Sequence, residues 1–351
     1  MTSWIPDRAG EGTEFDRLFA LRPNLFVAFQ DFYARLWDPR VMDPVILELC
    51  RLRMARLLGC DAELAVRSAP AVDAGLSETT VGELASWPTS PAFDDTTRAC
   101  LSFAEQFVID PSGIGRFERA AIRAAVGFPR LVGLAQAVAV FDGFSRFRLV
   151  LGIGGATIDH DADGASVTVV DVGRPDPSVA IVEQTVDADD PARGFSAAQP
   201  DLFASFERLY GVLWSGGVVD HPSKEVARLR NARVTGCKFC RNVRFDRARG
   251  DGLTEDLVDL VADGYQTAAL PDAHKAVLAL TDAFLGDPRT GPDGETRDLL
   301  LTHYGSAGTV ELVAGLALFM GFSKIAVALG AFPDDFPTTV IPTPGDPARA
   351  D

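Results

Sequence analysis

Apolar residues recur at three-to-four spacing, with arginines between them, along VILELCRLRMARLLG (residues 45–59) and again along KEVARLRNARVTG (224–236). That period is one face of an α-helix. TTRACLSFAEQF (96–107) and HKAVLALTDAF (274–284) predict two further amphipathic helices. PRLVGLAQAVAVFDGFSRFRLVLG (129–152) and AGTVELVAGLALFMGFSKIAVALG (307–330) are apolar on most faces, which predicts helices at the centre or at a subunit contact. Asp43-Pro44 and Pro222-Ser223 suit helix starts, as do Ser77-Glu78 and Thr254-Glu255 after their Gly-Leu stops. The pattern predicts an all-α protein.

These helices come in pairs because the chain repeats itself. At an offset of 177, RLRMARLLGC (51–60) lies over RLRNARVTGC (228–237) with seven of ten positions identical. The same offset pairs Trp37 with Trp214, Glu48 with Glu225 and Arg67 with Arg244; one inserted residue later, GFSRFRLVLG matches GFSKIAVALG. A period this long means duplicated domains. The expected organisation is a first copy over 1–153, a linker over 154–200, a second copy over 201–338 and a tail over 339–351. Two such copies pairing through their apolar helices would form a pseudo-twofold unit at high effective concentration. The linker carries two β-branched runs, SVTVVDV and SVAIVEQTV, which predict either a small hairpin packed on the first copy or an extended segment. The proline-rich tail is expected to trail over the surface.

Composition narrows the function. A net charge of −16 disfavours nucleic acid and anionic membranes as partners. No N-terminal basic-then-apolar segment opens the 351 residues, and the apolar runs are interrupted, so a cytoplasmic protein is expected. Five cysteines, an odd number, do not suggest a secreted disulfide framework.

Two of them form Cys237-x-x-Cys240 in RVTGCKFCRNVR. Zinc would need about four Cys or His ligands, and the second copy offers only scattered histidines, so no metal is expected. Two inert buried thiols are one alternative, and a redox dithiol is the favoured reading. Thr235-Gly236 can end one helix and start another with both sulfurs in its first turn, where partial positive charge stabilises a thiolate. Arg244 is expected one turn beyond Cys240, on its face. Glu225 would stand roughly 18 Å from Cys237 on a straight helix. It meets the dithiol only if the chain turns at Gly236.

Glu-x11-Cys-x2-Cys followed by Gly-Leu resembles the alkyl hydroperoxidase D-like proteins of the carboxymuconolactone decarboxylase family, over roughly 20–152 and 200–331. The resemblance implies an all-α fold, homo-oligomers and thiol-based reduction of peroxides. It makes Cys240 the peroxidatic thiol, Cys237 the resolving one and Glu225 a relay base. No bound cofactor is implied; a hydroperoxide or another small molecule would be the substrate, and a protein dithiol or lipoyl-protein the reductant. The family's redox members usually have histidine where Arg244 stands, and arginine, always charged, cannot pass a proton. His221 is a candidate shuttle in its place, or a surface residue at a helix entry.

In the first copy the frame reads Glu48, Cys60, Glu63 and Arg67, with Glu63 replacing the second cysteine. A retired site is one reading, with Glu63 and Arg67 as an ordinary i,i+4 pair. A non-redox acid–base pocket, for a lyase, decarboxylase or isomerase acting on a small carboxylic acid, is the alternative. A non-catalytic oligomeric scaffold is the third. Cys50 and Cys100 read as core.

Overall fold

The computed structural model describes residues 3–154, 167–175, 191–332 and 335–346. Both copies follow one order of elements. The first runs through helices Pro23–Leu36, Pro44–Leu58 and Asp61–Leu64, strand Val66–Ser68, and helices Asp95–Ile109, Arg116–Val126 and Phe128–Leu151. The second runs through helices Pro200–Ser215, His221–Val234 and Lys238–Asn242, strand Val243–Phe245, and helices Asp272–Leu285 and Gly294–Leu329. The fold is all-α apart from short strands.

Helix boundaries follow the capping residues. Asp43 accepts from the Val45 and Ile46 amides, Ser77 from Thr80 and Thr254 from Leu257. In the second copy Asp220 caps the start, one residue ahead of His221. Gly127 (φ 79°, ψ 159°) and Gly305 (φ 62°, ψ −175°) stand at equivalent places and turn the chain into each central helix. A side chain would strain that left-handed backbone.

The central helices Phe128–Leu151 and Gly294–Leu329 pack on each other, and Pro23–Leu36 packs on Pro200–Ser215. Each contact joins equivalent elements, as a pseudo-twofold requires. A Cβ at Gly143 would lie 2.8 Å from the Ala317 carbonyl, and one at Gly321 would lie 3.1 Å from the Ala139 Cβ. These four positions exchange under the repeat, so small residues let the helices approach from both sides. Gly294–Leu329 is long and apolar enough to cross a bilayer, yet 78% of its most apolar window is buried among other helices.

The strands correct the expected linker and tail. Thr168–Val170 forms a parallel ladder with Val66–Ser68, and Thr339–Ile341 an equivalent ladder with Val243–Phe245. The first linker run therefore packs on the first copy as a parallel partner of a distant strand, and the second run (178–186) lies outside the described residues. The described part of the tail, 339–346, does not trail. Thr343 is fully buried and its hydroxyl donates to Asp246 at 2.7 Å.

Buried ions join the copies. Asp142 takes Arg146 at 2.7 Å and Lys324, from the other copy, at 2.6 Å. Arg146 donates to the Phe284 and Leu285 carbonyls that end a helix of the second copy. Lys324 does the same for Phe107 and Val108 of the first copy. Each cation thus caps a helix C-terminus across the interface, where the helix dipole favours positive charge. Arg22 of the first copy also reaches Glu311 at 2.7 Å, beside Lys224 at 2.8 Å.

Burial alone would raise the Asp142 carboxyl, but Lys324 and Arg146 hold it below the usual carboxylate range. Its stabilisation is complete above about pH 4 and lost as pH falls through the depressed value. Asp142→Asn should lower stability at neutral pH by about 3–5 kcal/mol, because two buried cations lose their shared anion. Urea unfolding checks this; a change below about 1 kcal/mol would count against the triad.

Candidate functional site: the cysteine pair and its cavity

The site begins with the end of helix His221–Val234. Gly236 takes φ 73°, and the Cys237 amide returns to the Ala232 carbonyl at 3.1 Å. This left-handed stop reverses the chain. Cys237 then caps helix Lys238–Asn242, its sulfur accepting from the Cys240 amide at 3.2 Å. Cys237 and Cys240 form a disulfide, with Cα atoms 5.3 Å apart.

A buried ion pair fixes this turn against the preceding helix. Glu225 is fully buried and takes Arg228 Nε at 2.9 Å and Nη2 at 2.6 Å. The same guanidinium donates to the Cys240 and Val243 carbonyls, both at 2.6 Å. The other Glu225 oxygen accepts from the Phe245 amide at 2.9 Å. Glu225 therefore reaches the sulfurs' turn through its backbone. The pair thereby bonds the Cys240 carbonyl near the end of the short helix and shares the Val243 carbonyl with Arg244.

Cys240 lines a cavity of about 460 Å³ together with Phe206, Tyr210, Arg228, Phe322 and Ser323; Cys237 does not line it. The tail closes one wall through Ile341, Pro344, Gly345 and Asp346. Ser323, which accepts from Asn231 Nδ2 at 2.9 Å, also lines the cavity.

Two expected neighbours are elsewhere. Helix Lys238–Asn242 ends before Arg244, which stands in a strand, so the helical spacing that put it on the face of Cys240 does not apply. Its guanidinium bonds Glu255 at 3.0 Å and the Arg241 and Val243 carbonyls. His221 stacks near Trp214 and uses both ring nitrogens, on Asp251 at 2.8 Å and the Trp214 carbonyl at 3.1 Å. A shuttle needs a free nitrogen facing the site, and neither is free.

The first copy keeps the same framework. Glu48 takes Arg51 at 2.9 and 2.6 Å and the Ser68 amide at 3.2 Å, while Arg51 donates to the Glu63 and Val66 carbonyls. Glu63 does not pair with Arg67. It lies between Arg51 at 2.5 Å and Arg148 at 2.6 Å, while Arg67 bonds Glu78 at 2.9 Å. Burial would raise the Glu63 carboxyl, but Arg148 and Arg51 hold it low. Arg148 stands where the second copy has Ala326, which packs with Cys240. A sulfur beside a methyl group has become a carboxylate beside a guanidinium.

Helix Glu14–Phe19 fills the remaining space. Phe19 packs on Phe26, Phe29 and Phe144 at 5.3, 5.2 and 5.8 Å, and Arg148 lies 4.0 Å over the Phe15 ring. Phe26, Phe29 and Phe144 are the repeat partners of Phe203, Phe206 and Phe322, which line the Cys240 cavity. Glu48, Glu63 and Arg67 line neither that cavity nor the larger one beside it.

Sequence reasoning missed Arg228 and Arg51, although RLR recurs unchanged three residues beyond the glutamate in both copies. It also missed Arg148, Phe15 and Phe19, which no short motif marks.

The model of the carboxymuconolactone decarboxylase family matches residues 23–106 and again 200–283, at the 177-residue spacing of the internal repeat. The chain belongs to that family as two fused copies of its domain. Two relatives in Mycobacterium tuberculosis, Uncharacterized protein MT2376 (strain CDC 1551 / Oshkosh) and Uncharacterized protein Rv2313c (strain H37Rv), are each 36% identical over 84 residues. The aligned stretch covers 24% of this chain and 30% of each relative, so the chain spans less than a third of those proteins. No solved structure matches the chain.

Burial and the neighbouring Glu63 push the Cys60 thiol up to about 12, and burial with Asp94 pushes Cys100 to about 12. Burial raises Cys50 well above its ordinary value. After mild reduction at pH 8, iodoacetamide should label Cys240 first and leave Cys50, Cys60 and Cys100 unmodified until the chain unfolds. Peptide mass mapping reads the order; early labelling of Cys60 would contradict the closed first-copy site.

Proposed function

We propose that the second copy is a thiol-dependent oxidoreductase in which Cys240 is the sulfur that meets the substrate. One observation supports this reading: of the two disulfide-bonded cysteines, Cys240 and not Cys237 is among the residues that line the cavity of about 460 Å³. That supports the order the family resemblance implies, with Cys240 attacking and Cys237 resolving. Glu225, engaged at both oxygens, then acts by positioning the turn.

Applied to a hydroperoxide, the Cys240 thiolate takes the terminal oxygen, the O–O bond breaks and the departing alkoxide collects a proton. The resulting sulfenic acid is displaced by the Cys237 thiol, releasing water and forming the disulfide. The pair gives up two electrons, and the peroxide becomes an alcohol and water. A protein dithiol or a lipoyl group on a partner returns the electrons by exchange. Such cycling suits a reducing cytoplasm. The same reading expects homo-oligomers assembled on outer surfaces, since the central helices are already paired internally. Arg244 and His221 supply no proton in this scheme.

Turnover with hydrogen peroxide and reduced lipoamide tests the proposal. Cys240→Ser should abolish it, and the wild-type pair should cycle between dithiol and intramolecular disulfide by intact mass. Full activity in the Cys237→Ser, Cys240→Ser double variant would sink the redox reading.

A further inference from the structure

A second chamber of about 530 Å³ lies between the copies, bounded by the two central helices and by Phe203, Phe206, Phe239 and Phe332. We propose that it binds an uncharged, largely hydrocarbon small molecule bearing one hydroxyl or N–H group. The volume falls within the roughly 300–1,000 Å³ of small-molecule sites. None of its lining side chains is charged. An ionic occupant would lose its hydration with no counter-charge in return, which excludes carboxylates and ammonium groups.

Gln136 supplies the single polar contact. It lines the chamber at 8% exposure, and its amide oxygen is buried with no hydrogen-bond partner among the described residues. Leaving such a group unsatisfied costs about 1–3 kcal/mol. The fold does not require an amide there, since the repeat partner of Gln136 is Ala314, fully buried in the equivalent turn. Water is a poor occupant because it needs two to four polar partners, and this wall offers one. A hydroxyl both donates and accepts, so it suits the amide in either orientation.

The chamber shares Phe203, Phe206, Phe239 and Phe322 with the Cys240 cavity. The occupant would therefore lie one aromatic layer from the disulfide.

Fluorescence of N-phenylnaphthylamine, a neutral hydrophobe with one N–H, tests the site on the full chain. Binding should saturate at one molecule per chain. Naphthol should displace the probe more strongly than naphthalene, and naphthoate should not displace it. Gln136→Leu should weaken naphthol about tenfold and leave naphthalene unchanged, the value of one buried hydrogen bond. Ile325→Trp should fill the chamber and weaken the probe at least tenfold. A signal that does not saturate, displacement by naphthoate equal to that by naphthol, or probe affinity retained in a natively folded Ile325→Trp would overturn the proposal. If Ile325→Trp does not fold, Gln136→Leu decides alone: an unchanged preference for naphthol over naphthalene refutes the site. No thiol chemistry enters this assay, so its failure is separate from failure of the peroxide assay.

Discussion

A buried carboxylate–guanidinium pair, three residues apart on one helix, organises each half of this protein. In the second copy Glu225 and Arg228 bind two carbonyls and one amide of the turn that follows. In the first copy Glu48 and Arg51 bind the equivalent atoms. Removing one partner would leave the other charge buried alone and take the side-chain bond from the turn's backbone, a combination that folds do not tolerate. The pair is costly to desolvate and therefore specific: it is stable only with the chain reversed at the glycine and laid back along the helix. The positions of both sulfurs follow from that reversal.

The duplicated halves then diverge in what the shared turn carries. In the second, two sulfurs, Ala326 and a ring of half-buried phenylalanines leave a cavity against Cys240. In the first, Glu63 and Arg148 replace the small apolar pair, and Phe15 and Phe19 from the N-terminal helix occupy the space. These changes go together, since Arg148 gives the half-buried Glu63 a second cation beside Arg51. The first copy is a filled version of the second. Its carboxylates Glu48 and Glu63 are paired with arginines, and neither lines the two cavities described above.

The repeat, the helices and the turn at Gly236 were legible because each leaves a local mark: periodicity, a capping residue, a glycine. The central place of Phe128–Leu151 and Gly294–Leu329 followed from their all-round apolar faces. The surroundings of the site were harder. Arg244 looked helical because Lys238–Asn242 gives no sequence sign of stopping after five residues. Its conversion to strand depends on Thr339–Ile341, nearly a hundred residues away. Three-residue strands carry too short an alternation to be read, so Thr168–Val170 and Thr339–Ile341, although they form equivalent ladders, looked unrelated. The Asp142 triad was invisible for a similar reason. Asp142 matches no acid in the second copy, and its value lies in serving two cations from opposite halves.

The claim that the ion pair holds the cysteine turn is tested most directly by amide hydrogen exchange at Phe245. In the wild-type chain this amide donates to Glu225 and should exchange slowly, as should its partner Ser68 in the first copy. Replacing Arg228 by Met should collapse protection at Phe245 while Ser68 keeps its own. Unchanged protection at Phe245 in that variant would contradict the central role given to the pair.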